Sequence, residues 1–195
     1  MKKIGVIGAG RLGICFALLC EAAGYEVLVS DLREDYVGGL NERKITTNEP
    51  EVENLLRRAK NFSATTDNRQ VIRECDLIYT LVATPSLEDG SYDVSAVWEV
   101  VDDIKTEMTT IGNGHKNFVI GCTTNPGDCD KFREELPRSV KVFYNPEFIA
   151  QGSIIRDLRE ADMVLLGSDP MLSEDSVVGE IKDLYKKIQT TRAIV

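Results

Sequence analysis

The sequence predicts an α/β chain: a doubly wound, mostly parallel sheet with helices on both faces. Three observations predict it. Short apolar runs alternate along the chain with longer segments of helical spacing. The runs are almost continuously apolar, as strands buried on both faces are. Turn-forming residues gather where several of the runs end.

The expected strands, in order, are residues 2–8 (KKIGVIG), 25–31 (YEVLVSD), 75–83 (CDLIYTLVA), 116–122 (KNFVIGC), 140–144 (VKVFY) and 162–168 (DMVLLGS), with 190–195 (TTRAIV) as a further candidate. Helical spacing marks 11–23, 33–43, 50–60, 93–108, 128–135 and 172–188. Residues 109–117, TTIGNGHKN, read as a loop, with Gly112 and Gly114 ending the helix before it. No repeat, low-complexity tract or linker interrupts this order.

A chain of 195 residues suffices for one well-buried domain. The net charge of −9 argues against nucleic acid or an anionic membrane surface as partner. It leaves room for an anionic small molecule, because a helix N-terminus binds phosphate locally. Cys15, Cys20, Cys75, Cys122 and Cys129 form no Cys-x-x-Cys pair, and His115 is the one histidine. That set fits reduced thiols in the cytoplasm and no metal site. The opening MKKIGVIGAG reads as a strand and turn, not a signal peptide, and no apolar run is long enough to span a bilayer.

Gly8, Gly10 and Gly13 make a G-x-G-x-x-G between the first strand and the first helix. Asp31, 18 residues after Gly13, ends the next strand. This is the Rossmann-type dinucleotide-binding arrangement. Gly8 permits the tight turn, Gly10 lets a pyrophosphate approach the backbone, and Gly13 lets the helix pack close. Asp31 suits the adenosine ribose hydroxyls and favours NAD over NADP, with Arg33 keeping NADP as an alternative.

Further loops follow the carboxyl ends of later strands, where ligands of open α/β sheets sit. In VATPS, Thr84-Pro85 turns the chain; Thr84 is either a ribose or phosphate contact or part of a plain turn. In GCTTNPGD, Thr123 reads as a helix cap, and Cys122 as a small buried thiol with no histidine nearby in sequence to activate it. In NPEFIAQG, Glu147 stands among apolar residues, a setting that raises a carboxyl pKa toward the range useful for acid–base work.

In order, GVIGAGRLG, Asp31, NEPEVENLL (48–56), ATTD (64–67), VATPS (82–86), TTNPGD (123–128) and NPEFIAQGSIIRDL (145–158) resemble the nucleotide-sugar 6-dehydrogenases. These include the UDP-glucose, GDP-mannose and UDP-N-acetylmannosamine enzymes. The resemblance covers nearly the whole chain but only the first, NAD-binding half of the family's architecture. It implies oxidation of a sugar C6 alcohol to a carboxylate with two NAD, through a cysteine-bound thioester that water hydrolyses. By resemblance, Glu147 assists that hydrolysis, and Thr124 helps hold the water. Glu147, Phe148 and Ile149 match substrate positions. Gly8, Gly10, Arg11, Leu12, Gly13, Asp31, Val82, Ala83, Thr84, Pro85, Thr124 and Gln151 match positions around NAD.

Three departures accompany the resemblance. The family's nucleophilic cysteine, in a Gly-rich motif of its second domain, and the lysine and asparagine of its central helix have no counterpart here. Gln151 stands where a glutamate is usual, and Cys122 where a lysine is frequent. The reading is therefore an NAD-binding domain of a nucleotide-sugar dehydrogenase, inactive alone and a homodimer when part of the whole enzyme. The alternatives are an NAD-binding sensor or interaction module without catalysis, and a different dehydrogenase with the same first domain, which would not explain NPEF.

Overall fold

The computed structural model describes residues 3–112, 114–169 and 176–190. The elements are β1 Lys3–Ile7, α1 Arg11–Ala22, β2 Glu26–Ser30, α2 Glu34–Glu42, α3 Val52–Arg58, β3 Phe62–Thr65, α4 Asn68–Glu74, β4 Leu77–Thr80, α5 Ser95–Ile111, β5 Lys116–Ile120, α6 Asp128–Glu135, β6 Val140–Tyr144, α7 Ile154–Arg159, β7 Gly167–Ser168 and α8 Ser176–Ile188. The strands form one sheet in the order β3-β2-β1-β4-β5-β6-β7. All neighbours are parallel except β6 and β7.

Strand side chains alternate between two cores. Val27 and Val29 of β2, Tyr79 of β4, Val119 of β5 and Phe143 of β6 face one core with α1, α3, α7 and α8. Leu28, Ile78, Phe118, Ile120 and Val142 face the other, with α4, α5 and α6. Both faces are thus covered, which is why the strands read as continuous apolar runs.

β1 lies between β2 and β4, so the chain leaves it toward one side and later returns on the other. This reversal opens a crevice at the carboxyl ends of β1 and β4. The sheet's bonding runs on into the loops there: Gly8 N–H donates to Ser30 O at 2.9 Å, Leu81 N–H to Ile7 O at 2.8 Å, and Asn145 N–H to Ile120 O at 2.8 Å. These bonds fix the starts of three loops at that edge.

Several expectations need correction. β3, α4 and α7 were not expected from the sequence. DMVLLGS contributes only Gly167–Ser168 to the sheet, antiparallel to β6. β4 ends at Thr80, so residues 81–83 belong to the loop. The loop expected over 109–117 is shorter, because α5 continues to Ile111 and β5 begins at Lys116; Gly112, at φ +71°, ends the helix as expected. Thr123 does not cap α6, whose N-cap is Gly127 with no side-chain cap bond. The candidate strand at 190–195 lies outside the described residues beyond Thr190, as does the start of the helix expected over 172–188.

Candidate dinucleotide site

The Gly-rich turn is built as its chemistry requires. Gly8 sits at φ +93°, and a Cβ there would lie 2.8 Å from Leu81 O. A Cβ on Gly13 would collide with the Gly8 carbonyl oxygen, so α1 packs against the turn only because residue 13 has none. Gly10 differs: a Cβ there would meet nothing within 4 Å. The face of Gly10 is open space.

Behind that opening lies the N-terminus of α1. Gly10 is its N-cap, no side chain caps it, and its first turn carries no acid. The positive end of the helix dipole and its early N–H groups are left for an anion. Open Gly10, uncapped α1 and nearby Asp31 fit a dinucleotide's pyrophosphate and ribose. A bulkier residue 10 or an acidic first turn would not.

Asp31 follows β2. Its carboxylate is held by a two-pronged Arg33 contact, Nε to Oδ1 at 2.8 Å and Nη2 to Oδ2 at 2.9 Å. Arg33 also lies 4.2 Å over the Tyr36 ring. Burial pushes the Asp31 carboxyl up, but the Arg33 contacts and backbone bonds outweigh it and hold it below the usual range. Asp31 is therefore an anion, with its partner arginine already in place.

The loop 145–153 crosses toward this turn. Arg11, the first residue of α1, donates to Gln151 Oε1. Gly152 N–H donates to the buried Glu49 at 2.8 Å. Arg11, Thr47, Glu49 and Gln151 share a cavity of about 430 Å³. Leu12 is partly buried and packs against the core beneath. On the β4 side, the loop carrying Val82, Ala83, Thr84 and Pro85 is pinned to the loop after β5. Asn125 does this: its Oδ1 accepts from Tyr92 N at 2.8 Å, and its Nδ2 donates to Tyr92 O at 2.9 Å.

Glu147 is partly buried, and its carboxyl accepts a hydrogen bond from the Tyr185 hydroxyl of α8. Burial pushes it up to about 7, against that hydrogen bond, which lowers it. It lines a cavity of about 330 Å³ with Phe148, Asp157, Glu160 and Met163. Phe148 is 61% exposed, whereas Ile149 packs onto the core. Thr124 lines a different cavity, beside α6 and β6, with its hydroxyl 3.9 Å from Cys129 Sγ. The structure thus joins Arg11 with Gln151, but leaves Glu147 and Thr124 in separate cavities.

Cys122 is buried, and burial pushes its thiol up to about 12, as for Cys15 and Cys75. The Cys20 thiol is also pushed up, by burial and then by Glu147, and burial raises Cys129 as well. Among the described residues no group of histidine, cysteine and carboxylate side chains could hold a metal, and no helix is long and apolar enough to cross a membrane. Sequence reasoning missed Tyr185, Asn145 and Glu49. Asn145 stood in the NPEF motif, and Glu49 in the NEPEVENLL motif, without an assigned role; nothing in the sequence distinguished Tyr185 from an ordinary core aromatic.

Residues 2–189 match the model of the UDP-glucose/GDP-mannose dehydrogenase family, NAD binding domain. Among curated relatives, the UDP-N-acetyl-D-mannosamine dehydrogenase of Methanococcus maripaludis is 30% identical, over 95% of this chain and 42% of its own length. UDP-glucose 6-dehydrogenase TuaD of Bacillus subtilis is 29% identical, over 86% of this chain and 38% of its own. Among solved structures, the UDP-glucose dehydrogenase of Pyrobaculum islandicum superposes with a TM-score of 0.86 at 22% identity, over 100% of this chain and 46% of that one. GDP-mannose dehydrogenase from Pseudomonas aeruginosa gives 0.83 at 23% identity, over 94% and 44%. The chain spans less than half the length of each of these proteins. The structural likenesses speak for the Rossmann-type fold.

Proposed function

Since the chain belongs to the UDP-glucose/GDP-mannose dehydrogenase family and carries its NAD-binding domain, we propose that it is the cofactor half of an enzyme that oxidises the C6 alcohol of a nucleotide sugar to the acid. The observation that carries this reading is the open face of Gly10 at the uncapped start of α1, with the Asp31 carboxylate beside it. Gly10 and the first N–H groups of α1 would hold the pyrophosphate, Asp31 the adenosine ribose, and the loop 82–85 the opposite wall. NAD bound there would supply the hydride acceptor.

The chain's own part in the chemistry is binding, orientation and proton handling. Glu147, with its carboxyl raised to about 7, holds or releases a proton near neutral pH. Thr124 would help to place a water, and Phe148 and Ile149 would line the sugar. Glu147 and Thr124 line different cavities. The thiol that captures the aldehyde comes from outside these residues on this reading. All five cysteines here have raised pKa values, and a thiol is a weak nucleophile until ionised. The whole enzyme would be a cytoplasmic homodimer acting on a small anionic sugar nucleotide.

Gln151, a neutral amide bound to Arg11, favours one other reading, NAD binding without catalysis. Two measurements decide. Calorimetric titration of the chain with NAD is expected to show one site. A polypeptide joining this chain to the second domain is expected to reduce NAD when given a nucleotide sugar. NAD binding without turnover of any UDP- or GDP-hexose would support the non-catalytic reading.

A further inference from the structure

Asn145 is 1% exposed, and its side-chain amide has a fixed orientation: Nδ2 donates to Leu165 O at 3.0 Å. Its Oδ1 can therefore only accept. The Tyr185 hydroxyl, also buried, lies 2.7 Å from that Oδ1 and is hydrogen-bonded to Glu147 Oε1 as well. A phenol has one proton to donate. It cannot serve both acceptors at once.

The shortage is resolved by the proton of Glu147. When the acid is neutral, its O–H donates to Tyr185 Oη, and Tyr185 donates to Asn145 Oδ1, so every group is satisfied. When the acid ionises, its proton leaves to solvent. The Tyr185 O–H then turns to the carboxylate, and Asn145 Oδ1 is left without that donor. No proton passes to or from Tyr185, whose pKa is pushed far above its ordinary value by burial and then by Glu147. The rotation couples two acceptors that lie 2 residues apart in sequence to one hydroxyl 38 residues further on.

We propose that Tyr185 is a positioning residue for Glu147, holding its carboxyl in both protonation states while its hydroxyl switches between Asn145 and Glu147. Among the described residues, the other titratable groups facing this acid are Cys20 of α1 and Tyr79 of β4, each raised by burial first and by Glu147 only after that, with Asp157, Glu160 and Asp162 across the cavity. None of these described groups is a cation, and the Tyr185 hydroxyl is a polar donor that answers the charge. The catalytic meaning of this switch rests on the proposed acid–base role of Glu147. The switch itself does not.

The test follows the 195-residue chain by NMR, with 13C at glutamate carboxyls and tyrosine Cζ, across pH. One glutamate signal, absent in Glu147→Gln, is expected to titrate near 7, and the Tyr185 signal to move with the same midpoint. Tyr185→Phe removes the donor to the ionised form and should raise the Glu147 midpoint by about one unit. Asn145→Ala removes the competing acceptor and should lower it. Tyr25→Phe, a tyrosine against Lys187 instead, should leave it unchanged. If Tyr185→Phe fails to fold, the wild-type tyrosine response, lost in Glu147→Gln, decides instead. An ordinary carboxylate midpoint, a Tyr185 signal that ignores it, or an unshifted midpoint in folded Tyr185→Phe overturns the proposal. Turnover is not read, so failure of the sugar-oxidising function would leave these outcomes standing.

Discussion

Arg33 grips both carboxylate oxygens of Asp31, at 2.8 and 2.9 Å, at the position where the ribose hydroxyls of a dinucleotide would bind. Asp31 is thus charged and held in place, and on the proposed reading the ribose would share it with the arginine. Hydrogen bonds to a charged group contribute about 1.5–3 kcal/mol each. Asp31→Ala is therefore expected to weaken NAD binding by about 10- to 100-fold while leaving the fold intact. Calorimetry with NAD checks this; an unchanged affinity would remove Asp31 from the site.

Burial pushes the Glu147 carboxyl up to about 7, against 4.5 for an ordinary glutamate. A raised carboxyl pKa means the folded state holds a proton that the unfolded state has released between those values. Its effect on stability is thus absent below the unfolded pKa, grows unfavourable between the two values and stays constant above the folded one. Glu147→Gln removes this charge. The variant should match wild type near pH 4.5 and exceed it in urea resistance above pH 7. Equal stability at both would mean the carboxyl is not buried in the way described.

Asn125 binds both backbone groups of Tyr92 and also donates to Asp128 Oδ2 at 2.9 Å. One side chain thus holds the loop after β4 to the loop after β5. Asn125→Ala leaves those groups unpaired, at a cost of about 1–3 kcal/mol. It should lower the unfolding midpoint and weaken NAD binding together, because residues 82–85 lose their support. A stable variant with normal affinity would show that this wall is held by other contacts.

How much of this was legible in the sequence depends on what each residue had to do. The G-x-G-x-x-G turn and Asp31 were legible because backbone geometry dictates those residue types; Gly8 at φ +93° is the clearest case. The long buried strands were legible because both their faces are covered. β3 was not: FSAT has four residues and only Phe62 is buried. α4 and α7 bury two and three residues each, too few to show a helical period. Tyr185 was beyond reach, because its partners Asn145 and Glu147 meet it only through the packing of α8 against the core. The same holds for the Arg11–Gln151 contact, which joins residues 140 apart.

We propose that the mouth at Gly10 receives the pyrophosphate of NAD. The most direct measurement compares NAD titrations of wild type, Gly10→Ala and Gly13→Ala, with urea unfolding of each. A Cβ at residue 10 enters open space, so Gly10→Ala should keep stability within about 1 kcal/mol yet lose NAD binding. A Cβ at residue 13 meets the Gly8 carbonyl, so Gly13→Ala should lose about 1–3 kcal/mol of stability or more. A folded Gly10→Ala chain that still binds NAD as wild type does would contradict the claim.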